Sequence, residues 1–135
     1  KNLKIIKSLN INKNRFATLI HPNTYISKSA KFGFGCVIFQ NVTLSTNVVI
    51  ADFVQILPNT IINHDSKIGK FTKINANCNI SGGVQIKKSC YLGAGVIIKE
   101  NILINELNIV GIGSLVLKNI HDKNSIIFGN PAEKK

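Results

Sequence analysis

Large rings are scarce in this chain: it has no Trp, two Tyr and seven Phe. A core assembled around aromatic side chains is therefore excluded, and burial must come from aliphatic residues. Met is absent altogether. Acidic residues are nearly as rare, six against seventeen basic ones, for a formal net charge of +11 over 135 residues. No run of eighteen apolar residues occurs, so the sequence offers no transmembrane helix and no membrane partner is expected. The chain opens on Lys1-Asn2-Leu3 without a signal-peptide pattern. It reads as a piece of a longer, cytoplasmic protein.

Aliphatic residues are abundant. Hydrophobic residues make up 44% of the chain, enough to exclude wholesale disorder, and the length suits one domain. Ile, Asn and Lys dominate, with 23, 18 and 16 copies. The positive charge raises the question of nucleic acid. Yet the basic residues are scattered, adjacent only at Lys87-Lys88 and Lys134-Lys135, and no aromatics interleave with them as a stacking platform. Codon bias toward Ile, Asn and Lys accounts for the excess, so no nucleic-acid partner is expected. A few lysines remain available for a phosphorylated cofactor.

The decisive feature is a period of six. From Ile20, every sixth residue to Val116 is large and apolar: Ile20, Ile26, Phe32, Ile38 and so on through seventeen consecutive positions without a gap. Chance agreement is on the order of one in a million at this composition. Four residues after most anchors stands a small or β-branched residue, such as Thr24, Cys36, Val54, Ser66 or Cys78, and the residue directly after the anchor is often Gly, Asn or Ser. A period of six fits neither a helix nor a two-faced sheet. It suits a short strand followed by a tight turn, and three such hexads make one triangular coil. The fold class is thus all-β: a parallel β-helix of about six coils, left-handed by its resemblance to hexapeptide-repeat proteins. Residues 1–19, with Leu3, Ile5, Ile6, Leu9 and Ile11, are expected to be a short helix or linker. Residues 20–121 form the β-helix, and 122–135 a last strand, Ile126-Ile127-Phe128, stopped by Pro131 and followed by a tail.

Cys36, Cys78 and Cys90 all fall on the small inward position. Cys36 and Cys90 share a face three coils apart, roughly 14 Å by the coil rise, too far for a disulfide. They read as small core residues. A β-helix core is structural, so chemistry must come from outward side chains. Among the three histidines, His21, His64 and His121, only His64 has a suggestive neighbour. It precedes Asp65 in a turn, and a carboxylate beside an imidazole favours a general base. One coil on, in the same column, stand Gly82 and Gly83. Bare backbone there leaves room for a ligand and an N–H to polarise a carbonyl. The histidines lie in different coils, so no metal is expected.

The stretch from Thr18 to Ala132 resembles the bacterial sialic acid O-acetyltransferase and UDP-4-amino-sugar N-acetyltransferase group, the NeuD/PglD type. Leu19-Ile20-His21-Pro22 resembles the entry into the β-helix, Ile61-Ile62-Asn63-His64-Asp65 with Ile68-Gly69 the catalytic segment, and Phe128-Gly129-Asn130-Pro131-Ala132 the closing motif. The resemblance implies a homotrimer with sites between subunits and acetyl-CoA as acyl donor. The acceptor would be an amine or hydroxyl of a sugar or nucleotide sugar. His64 would be the base, Asp65 its orienting partner, and the Gly82 backbone would face the thioester carbonyl. Ala94, Gly111 and Gly113 would line the pantetheine channel. Members often carry a second His nine residues after the base; here that position is Lys73, which can meet a phosphate. Relatives also carry an N-terminal nucleotide-sugar domain, of which residues 1–19 would be a remnant. The alternative reading is a non-catalytic trimeric β-helix scaffold.

Overall fold

The computed structural model describes residue 5 and residues 8–135. Leu3 and Ile6, part of the apolar pattern in the expected helix or linker, lie outside the described residues. The Leu9 N–H donates to the Ile5 carbonyl at 3.2 Å. A single 3-10 turn follows at Lys13–Arg15, and the Asn12 side chain at its start accepts the Asn14 N–H.

Seventeen two-residue strands then recur every six residues, β1 at Leu19–Ile20, β2 at Tyr25–Ile26, and so on to β17 at Leu115–Val116. Every third strand stacks in parallel, giving three sheets. Sheet A contains β1, β4, β7, β10, β13 and β16; sheet B begins with β2 and sheet C with β3. The pairing offset is three hexads throughout, as in Val37↔Gln55 and Lys73↔Tyr91. Each anchor is the second residue of its strand, and from Ile38 to Val116 all are at most 2% exposed. Ile20, Ile26 and Phe32 bound the first coil and remain more open.

The second inward column also stands as expected, and it carries a feature the size pattern did not reveal. Its polar members bridge coils. Thr60 Oγ1 donates to the Asn75 carbonyl at 3.0 Å and Ser66 Oγ to the Ser81 carbonyl at 2.9 Å. Cys36 and Cys90 use Sγ in the same way toward Ala51 and Asn105, each at 3.1 Å. These thiols are free and buried. Burial pushes all three up from their ordinary range, Cys90 to about 11.

From Gly35 to Gly113 each turn places one residue at positive φ, near +60° for Asn41, Asp65 and Asn77 among others. Asn tolerates this left-handed conformation better than most residues and fills several of these positions. Phe53 and Phe71 break that preference at φ 59° and 60°. They stack face to face at 5.2 Å, and Phe16 meets Phe53 edge-on at 5.2 Å. This ladder joins the N-terminal segment to the corner between sheets C and A. Such pairs contribute about 0.5–1.5 kcal/mol each beyond area burial, which offsets the backbone cost.

The regular offset ends above coil five. Ile104 bridges Ile120 and Ile109 pairs with Ile126, so the last coil is shorter than those below it. Buried Asn108 holds the change: its Nδ2 donates to the Asn105 and Asp122 carbonyls, and its Oδ1 accepts the Ser125 N–H at 2.8 Å. β18 (Ile126–Gly129) extends sheet A, and the residues after Pro131 form a further strand. Gly129, at φ 112°, allows a reversal, and β19 (Ala132–Lys134) pairs antiparallel to β18. No helix among the described residues is long and apolar enough to cross a membrane.

Candidate active site

His64 and Asp65 occupy the turn after β8 (Ile61–Ile62), at the corner between sheets B and C. The turn geometry aims them. Asp65 sits at φ 60°, and its N–H donates to the Thr46 carbonyl one coil below. Its carboxylate then reaches back to the preceding residue: Asp65 Oδ2 lies 2.9 Å from His64 Nδ1. The other oxygen, Oδ1, accepts from Asn47 Nδ2 at 3.0 Å. The hydrogen bond to His64, then that from Asn47, holds the Asp65 carboxyl below its ordinary range. An ionised Asp65 favours the tautomer with its proton on Nδ1, which leaves the Nε2 lone pair free. Both side chains are more than half exposed, so a substrate can reach them.

The coil above supplies the surface against which the ring lies. A Cβ built on Gly82 would stand 2.5 Å from His64 Cε1 and 2.6 Å from Nε2. Absence of a side chain is therefore what lets the imidazole lie there. The Gly83 N–H is taken by the His64 carbonyl at 2.8 Å, whereas the Gly82 N–H has no protein acceptor among the described residues. Backbone pairing gives the N–H two positions after an anchor no carbonyl acceptor; side chains take it at Phe34 and Glu106, but none does at Gly82, where the donor adjoins the imidazole. An imidazole acceptor for a proton and a backbone donor for a developing oxyanion thus stand side by side.

The other residues singled out from the sequence lie elsewhere. Lys73 opens β10, half-buried on sheet A between Gln55 and Tyr91. Ala94, Gly111 and Gly113 lie at the corner between sheets A and B. Gly113 donates to the Ala94 carbonyl at 2.9 Å. A Cβ on Gly113 would meet nothing within 4 Å, so this corner presents open backbone. Gly111 has a packing reason as well: a Cβ there would stand 2.8 Å from Phe128 Cβ, and its N–H is engaged by the Ile127 carbonyl. Within one chain, then, the His64–Asp65–Gly82 group and the Ala94–Gly113 group flank opposite edges of sheet B. Asn47 was not foreseen. The signal was available, since Asn47 stands three hexads before Asp65 and hence directly below it in the stack.

Comparison with known proteins places this geometry in context. Residues 65–100 match the family model for bacterial transferase hexapeptide (six repeats). No curated protein matches the chain. PerB from Caulobacter crescentus, in complex with CoA and GDP-perosamine, superposes with a TM-score of 0.90 at 24% identity, over 99% of this chain and 65% of that one. The acetyltransferase domain of PglB from Neisseria gonorrhoeae, in complex with acetyl coenzyme A, superposes with a TM-score of 0.88 at 23% identity, over 98% and 63%. WeeI from Acinetobacter baumannii gives 0.74 at 21%, over 99% and 64%. The protein has the left-handed parallel β-helix of hexapeptide-repeat transferases. It spans less than two thirds of the length of those three chains.

Proposed function

We propose that the protein transfers an acetyl group from acetyl-CoA to an amine or hydroxyl of a sugar or nucleotide sugar by direct attack. The single observation that carries this reading is the Asp65-held imidazole of His64 lying on the bare backbone of Gly82. The solved relatives bound to CoA, acetyl-CoA or GDP-perosamine support it. His64 Nε2 accepts the proton of the attacking N–H or O–H as the new bond forms at the thioester carbon. The Gly82 N–H donates to the carbonyl oxygen as it becomes an oxyanion. Collapse of the tetrahedral species breaks the C–S bond, and the imidazolium returns its proton to the departing thiolate. No covalent acyl-enzyme is needed, since Ser66 and the three cysteines face the core.

Acetyl-CoA would lie along the corner of Ala94, Gly111 and Gly113, with Lys73 available to a phosphate. Because that corner and His64 flank sheet B, the complete site would form between subunits of a homotrimer. The outward residues Tyr25, Ile61 and Ile97 of sheet B are exposed and apolar, which supports an assembly face there.

His64→Ala tests the assignment: turnover of acetyl-CoA with a 4-amino sugar should fall roughly 10²–10⁴-fold. Retention of near-normal turnover would overturn it. Millimolar CoA should also raise the Tm by mass action; no shift would favour a non-catalytic scaffold.

A further inference from the structure

A cavity lies away from the Ala94–Gly113 corner. It is a trough of about 580 Å³ along the outer side of sheet C, within the range of roughly 300–1,000 Å³ typical of small-molecule sites. Five lysines line it, Lys67, Lys70, Lys87, Lys88 and Lys123, against one acidic residue, Glu106. Its floor is apolar at Val49 and Ala51 and bare at Gly69. Coil stacking enforces that glycine, because a Cβ there would stand 2.5 Å from the Lys87 carbonyl carbon.

The lysines are arranged, not merely gathered. Lys70 Nζ is drawn down to Asp52 at 2.9 Å, and Lys88 Nζ up to Glu106 at 3.0 Å. The two acids therefore pull apart lysines that stack one coil above the other, which opens the space between them. Lys123 is held against Glu106 at 2.5 Å. Lys67 and Lys87 have no carboxylate within salt-bridge distance among the described residues; Lys87 donates instead to Gln85 Oε1 at 3.3 Å. Ammonium groups on coils about 4.8 Å apart repel one another, and an anion seated between them relieves that repulsion.

We propose that this trough binds a compact ligand through a diphosphate group. Two adjacent anionic centres match two rows of lysines, each of which offers a compact charge with three donors. The proposal is independent of the acyl-transfer assignment and explains part of the +11 charge.

The test is calorimetric titration of the protein at low ionic strength with ADP, inorganic pyrophosphate and adenosine. ADP and pyrophosphate should bind and adenosine should not. Lys67→Gln with Lys87→Gln should weaken ADP binding at least tenfold, while Lys134→Gln, an equal loss of charge outside the trough, leaves it unchanged. Both trough positions are exposed, so the Tm should hold; independently, raising the salt should weaken ADP binding to the unmodified protein. ADP binding more tightly than pyrophosphate would place the nucleoside on the Val49–Ala51 floor, and equal affinities would show that the phosphates alone are read; either outcome supports the site. No binding of either ligand, equal binding of adenosine, or ADP binding unchanged by the double substitution overturns it. So does binding of a single-stranded oligonucleotide in place of ADP. None of these outcomes touches the His64 assignment, which its own turnover assay decides.

Discussion

The imidazole of His64 occupies the space that a Gly82 side chain would fill: a Cβ there would lie 2.5 Å from Cε1. Gly82 is not at positive φ, so the backbone itself accepts alanine. Because His64 is exposed, it can swing clear of the new methyl. Gly82→Ala should therefore leave the Tm within a few degrees while lowering kcat roughly 10²-fold by displacing the base. Steady-state kinetics beside a melting curve separate the two effects; a large fall in Tm with normal kcat would contradict this placement.

Asp65 is predicted to act through the ring, and Asn47 through Asp65. Asp65→Asn should lower kcat about 10–10²-fold with little change in KM for the acyl donor. Asn47→Ala should give a smaller loss in the same direction. The folded-state pKa of Asp65 is depressed, so the pairing is intact above the ordinary carboxylate range and is lost as pH falls through the lowered value. Any fall in kcat/KM that comes from Asp65 should accordingly set in only below the ordinary carboxylate range and should be missing in Asp65→Asn. If Asp65→Asn reshapes the profile above that range, the division of roles is wrong.

Asp52 provides a pH-dependent contribution to stability. Hydrogen bonding from Lys70, then the Phe34 N–H, holds its carboxyl below the ordinary value. Its contribution is therefore full above about pH 4 and disappears as pH drops through the depressed value. Melting curves should show Asp52→Asn less stable than the parent at pH 6, with the gap closing toward pH 2. A gap that widens on acidification would reverse the sign and refute the pairing.

The cysteines should be silent in the folded state. Their thiols are buried and their pKa values raised, so an aromatic disulfide reagent at pH 8 should release colour only after denaturant is added. Immediate reaction of any one thiol would show that its coil opens readily.

Asn108→Ala should cost roughly 3 kcal/mol, since it strands the Ser125 N–H and the Asp122 carbonyl in a buried setting. Urea unfolding measures the loss. Hydrogen exchange should show Ile126 and Ile127 losing protection before Ile74 or Ile80.

The ladder of anchors was legible in the sequence because one inward residue every six leaves no freedom of register. Val84 or Ile86 on the wrong side would expose itself completely. His64, Asp65 and Gly82 could be brought together on paper for the same reason, since three hexads always make one coil. The aromatic ladder could not. Phe16 lies outside the repeat, and Phe53 and Phe71 sit where the turn disfavours bulky side chains. The shortened final coil was also hidden, because the partners of Asn108, Asp122 and Ser125, lie beyond the six-residue repeat. Lys73, which stands where the resembled family often has a second His, and the Ala94–Gly113 corner were singled out by resemblance alone, and pairing within one chain does not bring them to His64.

A stack of parallel coils has two open rims, each able to template another stack. β19 closes part of the upper one. By running antiparallel beside β18, it presents sheet A with a strand of the wrong direction and the wrong phase for a further coil. The reversal at Gly129 thus works as a terminator of growth: it makes the number of coils in the particle a property of one chain and opposes end-to-end filament formation.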